Sequence, residues 1–201
     1  MIGKTVRLVA VLLLATPLFT SAAEITGNET RVELTSATTL TGLGLSIQPV
    51  GIGAIDAVGP TAIFPITGGT VDDMSGAALI EHDGSGLTLS AGTTSLLLLN
   101  FLIDTAQSKI IGDAVTIADD GTGMLEAAAL NDIDLFTLDG SLNLFLTGAA
   151  AGAIETLFGV PGLTGFEIGT ASVDIAAVPV PGAVWLFGSA ISLLMARKRL
   201  G

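Results

Sequence analysis

Short stretches in which apolar and polar residues alternate recur through the middle of this 201-residue chain. Residues 87–90 run Leu-Thr-Leu-Ser, and the same period of two returns at 142–146. This period is typical of strands that bury one face. Gly, Asp and Asn residues separate the stretches, as they do in turns. The pattern predicts an all-β domain, a sandwich or barrel of many short antiparallel strands.

Three further features refine this prediction. The apolar residues 96–99 and 101–103 form a nearly continuous run, which is typical of a strand covered on both faces. The parity of the pattern slips by one between Ile168 and Val173, so Gly169 is the predicted site of a β-bulge. Glycine tolerates positive φ, and turns are therefore predicted where it follows another turn-forming residue. These pairs are Gly68-Gly69, Asp83-Gly84, Asp120-Gly121 and Asp139-Gly140.

One segment has the periodicity of a helix. Within residues 148–158, apolar side chains recur at spacings of three and four, which places them on one helical face. Thr147 is the predicted N-cap and Gly159 the predicted C-terminal cap, while Pro161 prevents continuation. We therefore expect one short helix that covers one end or edge of the β layers.

The N-terminal residues 1–23 have the three regions of a secretory signal peptide. Lys4 and Arg7 precede an apolar stretch, and the small residues 21–23 form a cleavage site for signal peptidase. An uncleaved membrane anchor is the alternative, but Pro17 and the small residues after it favour cleavage. The protein is therefore expected to be exported.

The C-terminal residues 178–201 combine a proline-spaced entry, the uncharged apolar run 183–196 and the basic cluster of Arg197, Lys198 and Arg199. As a helix the run would span ~21 Å, and snorkelling basic side chains could make up the difference from a ~30 Å hydrocarbon core. The basic cluster should remain cytoplasmic, with the rest of the chain outside. A buried core helix is the alternative, but the run leaves no charged face for water.

This tail closely resembles the PEP-CTERM sorting signal of Gram-negative bacteria, in its VPLPA-type variant. The residues that carry the resemblance are Val178, Pro179, Pro181, Trp185 and the basic end. The resemblance implies recognition by an exosortase-type membrane transpeptidase, removal of the helix, and release from or attachment to the cell surface. The precursor would be anchored in the inner membrane, and the mature protein would be at the cell surface or extracellular.

Charge and composition describe the domain between these two signals, residues 24–177. All 19 acidic residues lie there with only Arg31 and Lys109 of the seven basic ones, which gives a formal charge of −17. Such a surface repels nucleic acid and anionic lipid, and it can attract cations or basic partners. The chain has no cysteine, so an exported domain must be stabilised by packing alone.

Parts of the domain resemble the HtaA-like haem-uptake domains of bacterial surfaces. The matching residues are 64–71, 81–89 and 100–104, with a weaker match at 165–173. The resemblance implies a ligand-binding surface domain whose haem site would draw on tyrosine and histidine. His82 occupies the matching turn and is the candidate axial ligand, whereas the chain contains no tyrosine.

The remaining chemistry is sparse. With one histidine and no cysteine, a zinc site of those ligands is excluded, and a catalytic triad would have to use His82. No Gly-x-Ser-x-Gly elbow is present, and a histidine beside a glycine turn is more often a surface or second-layer residue. The acidic pairs could ligate Ca²⁺ or act on polysaccharide, but none follows the Asp-x-Asp-x-Asp-Gly pattern. These pairs are Asp72-Asp73, Asp119-Asp120 and Asp132/Asp134.

The sequence therefore predicts an exported, non-catalytic protein of the cell surface or extracellular matrix, with no resident cofactor or metal. Extracellular polysaccharide is a candidate partner there. The alternative is an HtaA-like domain that binds haem, with His82 as a ligand. A third hypothesis is an enzyme that acts on envelope polysaccharide through paired acids.

Overall fold

The computed structural model of the chain describes residues 22–56, 59–119 and 125–177. The predicted sorting tail, the predicted helix at 183–196 and all of the predicted signal peptide except Ala22 and Ala23 lie outside these residues. The described strands are β1 (Ala22–Glu33), β2 (Ser46–Gly51), β3 (Ala54–Ile55), β4 (Thr61–Pro65), β5 (Gly68–Asp72), β6 (Ala78–Ala91), β7 (Thr94–Asp104), β8 (Lys109–Asp119), β9 (Leu125–Leu138), β10 (Asn143–Leu146) and β11 (Glu167–Ala177). The described helices are α1 (Ala37–Gly42) and α2 (Gly148–Phe158).

The strands form one antiparallel sheet that closes on itself. The order is β11-β10-β9-β8-β7-β6-β5-β1-β4-β3, and β1 also pairs with β11, while β2 pairs with β6. The additional pairing joins β1 and β5–β11 into a ring of eight strands. The prediction of an all-β domain is confirmed, and the closed ring corresponds to a barrel. A ring of this size leaves an interior that side chains can fill.

β6 is longer than the sequence pattern predicts, because it continues through a bulge where a turn was expected. β6 and β9 have 14 residues each. The predicted hairpin turn at Asp83-Gly84 is wrong: it lies inside β6, where the pairing with β7 shifts between His82 and Gly86. Gly84 has φ 71°, and a glycine with positive φ fits a bulge as well as a turn.

The other predicted turns and the predicted β-bulge have different outcomes. Asp139-Gly140 forms the turn between β9 and β10, where Leu142 N–H donates to Asp139 O at 3.0 Å. The bulge at Gly169 is confirmed, since Gly169 faces Leu144 while Glu167 faces the next residue, Phe145. Gly68-Gly69 begins β5 instead of forming a turn, so that prediction is wrong. Asp120-Gly121 lies outside the described residues.

The predicted helix is confirmed as α2, with both of its caps. Thr147 Oγ1 accepts the N–H of Ala150 at 3.2 Å, and Gly159 ends the helix with φ 70°. The expectation of a single helix is wrong, because α1 follows β1. α1 has only six residues, among them three threonines, and this composition gives no helical signal.

The interior of the ring is apolar. Phe101 packs edge-to-face against Phe64 and Phe136, at centroid distances of 5.1 and 6.3 Å. Ile154 of α2 lies over the same interior, and with Leu40 of α1 it lines a small apolar space. The helices thus cover the ring's interior, as expected of α2.

The apolar run of β7 does not bury both faces, which corrects the prediction from its composition. Leu96 and Leu98 are 0% and 2% exposed, whereas Leu97 and Leu99 on the outer face are only half-buried. The outer face of the ring is left to solvent here, so a continuous apolar run does not require two covering layers.

Neither of the helices in the described part of the chain is long and apolar enough to cross a membrane.

Replacing Ile154 tests whether α2 packs on the core. Ile154 is 1% exposed, so Ile154→Ala should lower the free energy of unfolding by ~2–5 kcal/mol through lost burial and a residual cavity. Urea unfolding of a protein that comprises residues 24–177 measures this change. Thr156→Ala, at an exposed position of the same helix, is the matched control and should stay within about 0.5 kcal/mol of wild type. Equal small losses in both variants would contradict the packing.

Candidate functional site

The structure places His82 inside the ring, on the inner face of β6. The side chain is 1% exposed, so of the two predicted alternatives for His82, a surface or a second-layer residue, the surface position is wrong. The bulge that follows it in β6 turns the next residues outward, and Asp83 and Gly84 are exposed. His82 therefore belongs to the core.

The seven predicted residues of the sorting signal lie outside the described part of the chain: Val178, Pro179, Pro181, Trp185, Arg197, Lys198 and Arg199.

Both ring nitrogens of His82 have hydrogen-bond partners. Nδ1 lies 3.2 Å from the backbone O of Phe101, and Nε2 lies 2.8 Å from Oγ1 of Thr30. A carbonyl oxygen can only accept, so Nδ1 carries the proton. Nε2 is then the acceptor, and the hydroxyl of Thr30, itself 2% exposed, donates to it. This arrangement uses the one lone pair that a neutral imidazole could offer to a metal.

The protonation state of His82 agrees with this assignment. Burial lowers the pKa of His82 below its usual value, against smaller opposing effects that include the Phe101 carbonyl and the charge of Asp83. His82 is therefore neutral at pH 7. A neutral histidine is a possible metal ligand in principle, but here both of its nitrogens are already engaged.

The space beside His82 is far smaller than a haem. It is an apolar cavity of about 30 Å³, bounded by Thr30, His82, Phe64, Phe101 and Phe136 among others. A volume of about 30 Å³ is the share of one water molecule, whereas pockets for drug-sized ligands measure roughly 300–1,000 Å³. No buried side-chain nitrogen or oxygen in the described residues lacks a partner. The residues of the interior therefore do not fit haem.

A second candidate lies on the outer face, where bulges in neighbouring strands coincide. We call it the acidic cleft: Glu81, Asp83, Asn100, Asp113 and Asp132 border an open depression of about 480 Å³. Asn100 and Asp132 have φ of 54° and 53°, which marks the bulges in β7 and β9. The pairing of β6, β7, β8 and β9 shifts register at this level.

Hydrogen bonds inside the acidic cleft hold these bulges. Asn100 Oδ1 accepts from Gly84 N–H at 2.9 Å, and Asn100 Nδ2 donates to Asp113 Oδ2 at 2.8 Å. The other oxygen of Asp113 accepts from the N–H of Asp132 at 3.1 Å. The described residues contain no cluster of three or more His, Cys, Asp or Glu arranged to hold a metal ion. The cleft is therefore a hydrogen-bonded acidic surface.

Two residues of the predicted acidic pairs make local side-chain contacts, Asp72 and Asp134. Asp72 Oδ1 accepts from the backbone N–H of Ser75 and Met74 at 2.7 and 2.9 Å. The bonds from the Ser75 N–H and hydroxyl, and then that from Met74, hold the pKa of Asp72 below its usual value. Asp134 pairs with Lys109 at 3.0 Å. Asp132, the partner of Asp134 in its predicted pair, instead borders the acidic cleft.

Sequence reasoning missed Thr30 and Asn100. Thr30 carried no signal, because a single threonine in an alternating strand is usual on either face. Asn100 did carry one: it interrupts the apolar run 96–103, and a polar residue there can mark a change of face.

Comparison with known proteins supports the fold. No protein-family model and no curated protein matches the chain. Among solved structures, the C-terminal domain of HtaA from Corynebacterium glutamicum matches with a TM-score of 0.53 and 13% identity, over 77% of this chain and 98% of that one. The domain has an HtaA-like fold. The haem-binding protein HtaB from the same organism matches with a TM-score of 0.52 and 10% identity, over 79% of this chain and 96% of that one.

These similarities bear out the HtaA-like resemblance at the level of the fold. At 10–13% identity they carry no residue roles to this chain. The resemblance of the tail to a sorting signal remains a prediction.

The buried histidine predicts a dependence of stability on pH. The pKa of His82 is lowered in the folded state, so the unfolded chain binds a proton more readily below pH ~6.5. The free energy of unfolding should therefore fall as pH drops below ~6.5, by at most ~1.4 kcal/mol per pH unit from this group.

Urea unfolding at pH 7.5, 6.5 and 5.5 measures the effect. His82 is the single histidine in the chain, so His82→Gln removes this titration and leaves every carboxylate in place. The difference in stability between wild type and variant should shrink towards pH 5.5. A difference that stays constant over this range would contradict the assignment of His82 as a neutral core residue.

Proposed function

We propose that this chain is an exported, non-catalytic cell-surface protein whose HtaA-like domain is a binding module. The observation that carries the proposal is the fold, since the chain matches almost the whole length of two HtaA-type structures. One of these neighbours is a haem-binding protein, which favours a ligand-binding role over a purely structural one.

The two ends of the sequence support export. Residues 1–23 have the regions of a signal peptide, which signal peptidase would remove. The tail 178–201 resembles a PEP-CTERM signal, for which the partner is an exosortase-type membrane transpeptidase. The formal charge of −17 on residues 24–177 is compatible with an extracellular surface and unfavourable for nucleic acid.

The side chains support a non-catalytic role. The chain has one histidine, and both of its nitrogens bond to neighbours in the core. Of the predicted acidic pairs, Asp72 accepts hydrogen bonds from turn backbone and Asp134 pairs with Lys109. General acid–base work needs a group that reaches substrate, and His82 does not reach solvent.

Haem is the second candidate, as the ligand of the HtaA-like alternative. The fold comparison favours it, and His82 is the residue that the sequence resemblance points to. The interior disfavours it, because the cavity is about 30 Å³ and Thr30 occupies the free lone pair of His82. A haem bound by this domain would need ligands other than His82 in its described position.

Intact mass spectrometry of the protein from its native host tests export and sorting. We expect a mature chain that begins at Glu24 and ends near Pro181, without the apolar run 183–196. Replacing Pro179 and Pro181 by alanine should leave a longer form that stays with the membrane. Full-length protein in the wild-type host would contradict the sorting proposal.

Titration of the secreted domain with haemin tests the ligand. Given the filled interior, we expect no saturable shift of the haem absorption band in wild-type protein. His82→Ala removes a core side chain, so it is compared with wild type at equal concentration of folded protein, which circular dichroism measures. A one-to-one shift in wild type that disappears in His82→Ala would instead establish haem binding through His82.

A further inference from the structure

The wall of the ring is discontinuous between β4 and β6. β4 and β5 pair with the same edge of β1, but of these two strands β5 alone pairs with β6, as far as Gly68 opposite Glu81. The next described strand on that edge of β6 is β2, whose pairing begins at Ser85. Among the described residues, 82–84 therefore have no strand partner on this edge. We call this interruption, between β4 and residues 82–84, the ladder gap.

His82 connects the two sides of the ladder gap from inside the ring. Its Nε2 bonds to Oγ1 of Thr30 on β1 at 2.8 Å, and its ring lies edge-to-face with Phe64 of β4, with centroids 6.4 Å apart. The N–H of the next residue, Asp83, donates to Oγ1 of Thr67 at 2.9 Å. The Thr30–His82 bond thus joins β1 to β6 at a level where β4 and β6 form no ladder.

The interior offers no countercharge to a protonated His82. Among the described residues that line the space beside it, His82 is the only titratable one. Of the charged side chains described on the strands of the ring, Asp104 alone is buried, and both of its oxygens accept from Gln107. An imidazolium at this position would therefore have no carboxylate to pair with.

The charged residues that flank the bonded pair belong to the outer surface. On β6, Glu81 and Asp83 are exposed and border the acidic cleft. On β1, Glu29 and Arg31 pair with each other. β4 has no charged residue. Water and salt screen the exposed charges, so they compensate a buried charge poorly.

Protonation of His82 would change its hydrogen bonding. In the neutral ring Nδ1 donates to the Phe101 carbonyl and Nε2 accepts from Thr30, whereas both nitrogens of an imidazolium donate. The Thr30 oxygen would then accept, and its own proton would lose the acceptor that it has here. An unpaired buried charge and a buried donor without a partner both destabilise the closed ring. Contact of His82 with water removes both costs.

We propose that the Thr30–His82 bond is an acid-sensitive closure of the ring: protonation of His82 separates β6 from β4 at the ladder gap and admits water to the interior. Separation there breaks no described ladder between these two strands, so it opens less of the structure than unfolding does. Such a closure depends on the fold alone and not on the proposed function.

Proton linkage sets the size of the response. Burial lowers the pKa of His82 in the closed ring, so the open form binds the proton more readily. With an ordinary pKa of ~6.5 in the open form, the open population rises up to about tenfold from pH 7.5 to pH 5.5. The stability that the neutral pair provides is therefore present above pH ~6.5 and is lost as the pH falls.

Native-state hydrogen exchange of wild-type protein that comprises residues 24–177 tests the opening. Mass spectrometry at pH 7.5, 6.5 and 5.5, corrected for intrinsic exchange, measures the open population at residues 28–33 and 80–84. We expect it to grow about threefold to tenfold on acidification and to change less than about twofold in 1 M urea. Residues 109–117 of β8 exchange by unfolding, so 1 M urea should raise their open population about fivefold or more. Equal urea dependence in both regions would overturn the proposal.

Two variants test whether His82 is the group that responds. A glutamine can donate to the Phe101 carbonyl and accept from Thr30 but does not titrate, so His82→Gln should abolish the acid response at the ladder gap. Thr30→Ser keeps the hydroxyl and is the matched control, which should keep the response. An unchanged response in His82→Gln would assign it to carboxylates and overturn the proposal. If either variant does not fold, the urea comparison in wild type decides by itself.

Discussion

The structure depends on β1, because this strand closes the sheet by pairing along both of its edges. It pairs with β11 on one edge and with β4 and β5 on the other. The contact with β11 joins residues 150 positions apart, as between Thr26 and Ala176, so its formation carries a large loss of chain entropy. No disulfide reduces that loss, since the chain has no cysteine. Backbone hydrogen bonds and the inward side chains of β1, such as Val32, must maintain the closure.

The same strand places one polar side chain in the apolar interior. Thr30 of β1 bonds to His82 of β6, and these two strands are not neighbours in the sheet. A buried hydroxyl or imidazole without a hydrogen-bond partner would destabilise the folded state by about 1–3 kcal/mol. Thr30 and His82 avoid this cost because each is the partner of the other. The bond therefore ties two separate parts of the ring together. A buried histidine in this fold has a structural explanation that requires no ligand.

Local signals in the sequence were sufficient where the determining residues are close together. α2 could be predicted because Thr147 and Gly159 cap it within the segment itself, and the bulge at Gly169 because the parity slip is visible. The burial of His82 could not, since the following Asp83-Gly84 fits a hairpin turn and a bulge equally well. Closure by β1 and β11 leaves no local signal at all. It is decided by pairing between the two ends of the domain.

The HtaA-like fold does not by itself identify a ligand site in this chain. A ring of eight strands offers an interior only as large as its side chains allow, and here three phenylalanines help to fill it. Fold and site are separable, because a site depends on particular side chains that 10–13% identity does not preserve. If the domain is a binding module as proposed, its ligand has to contact the outer surface, because the interior is filled. Residues 24–177 carry a formal charge of −17, and the first and last described strands, β1 and β11, are neighbours in the sheet.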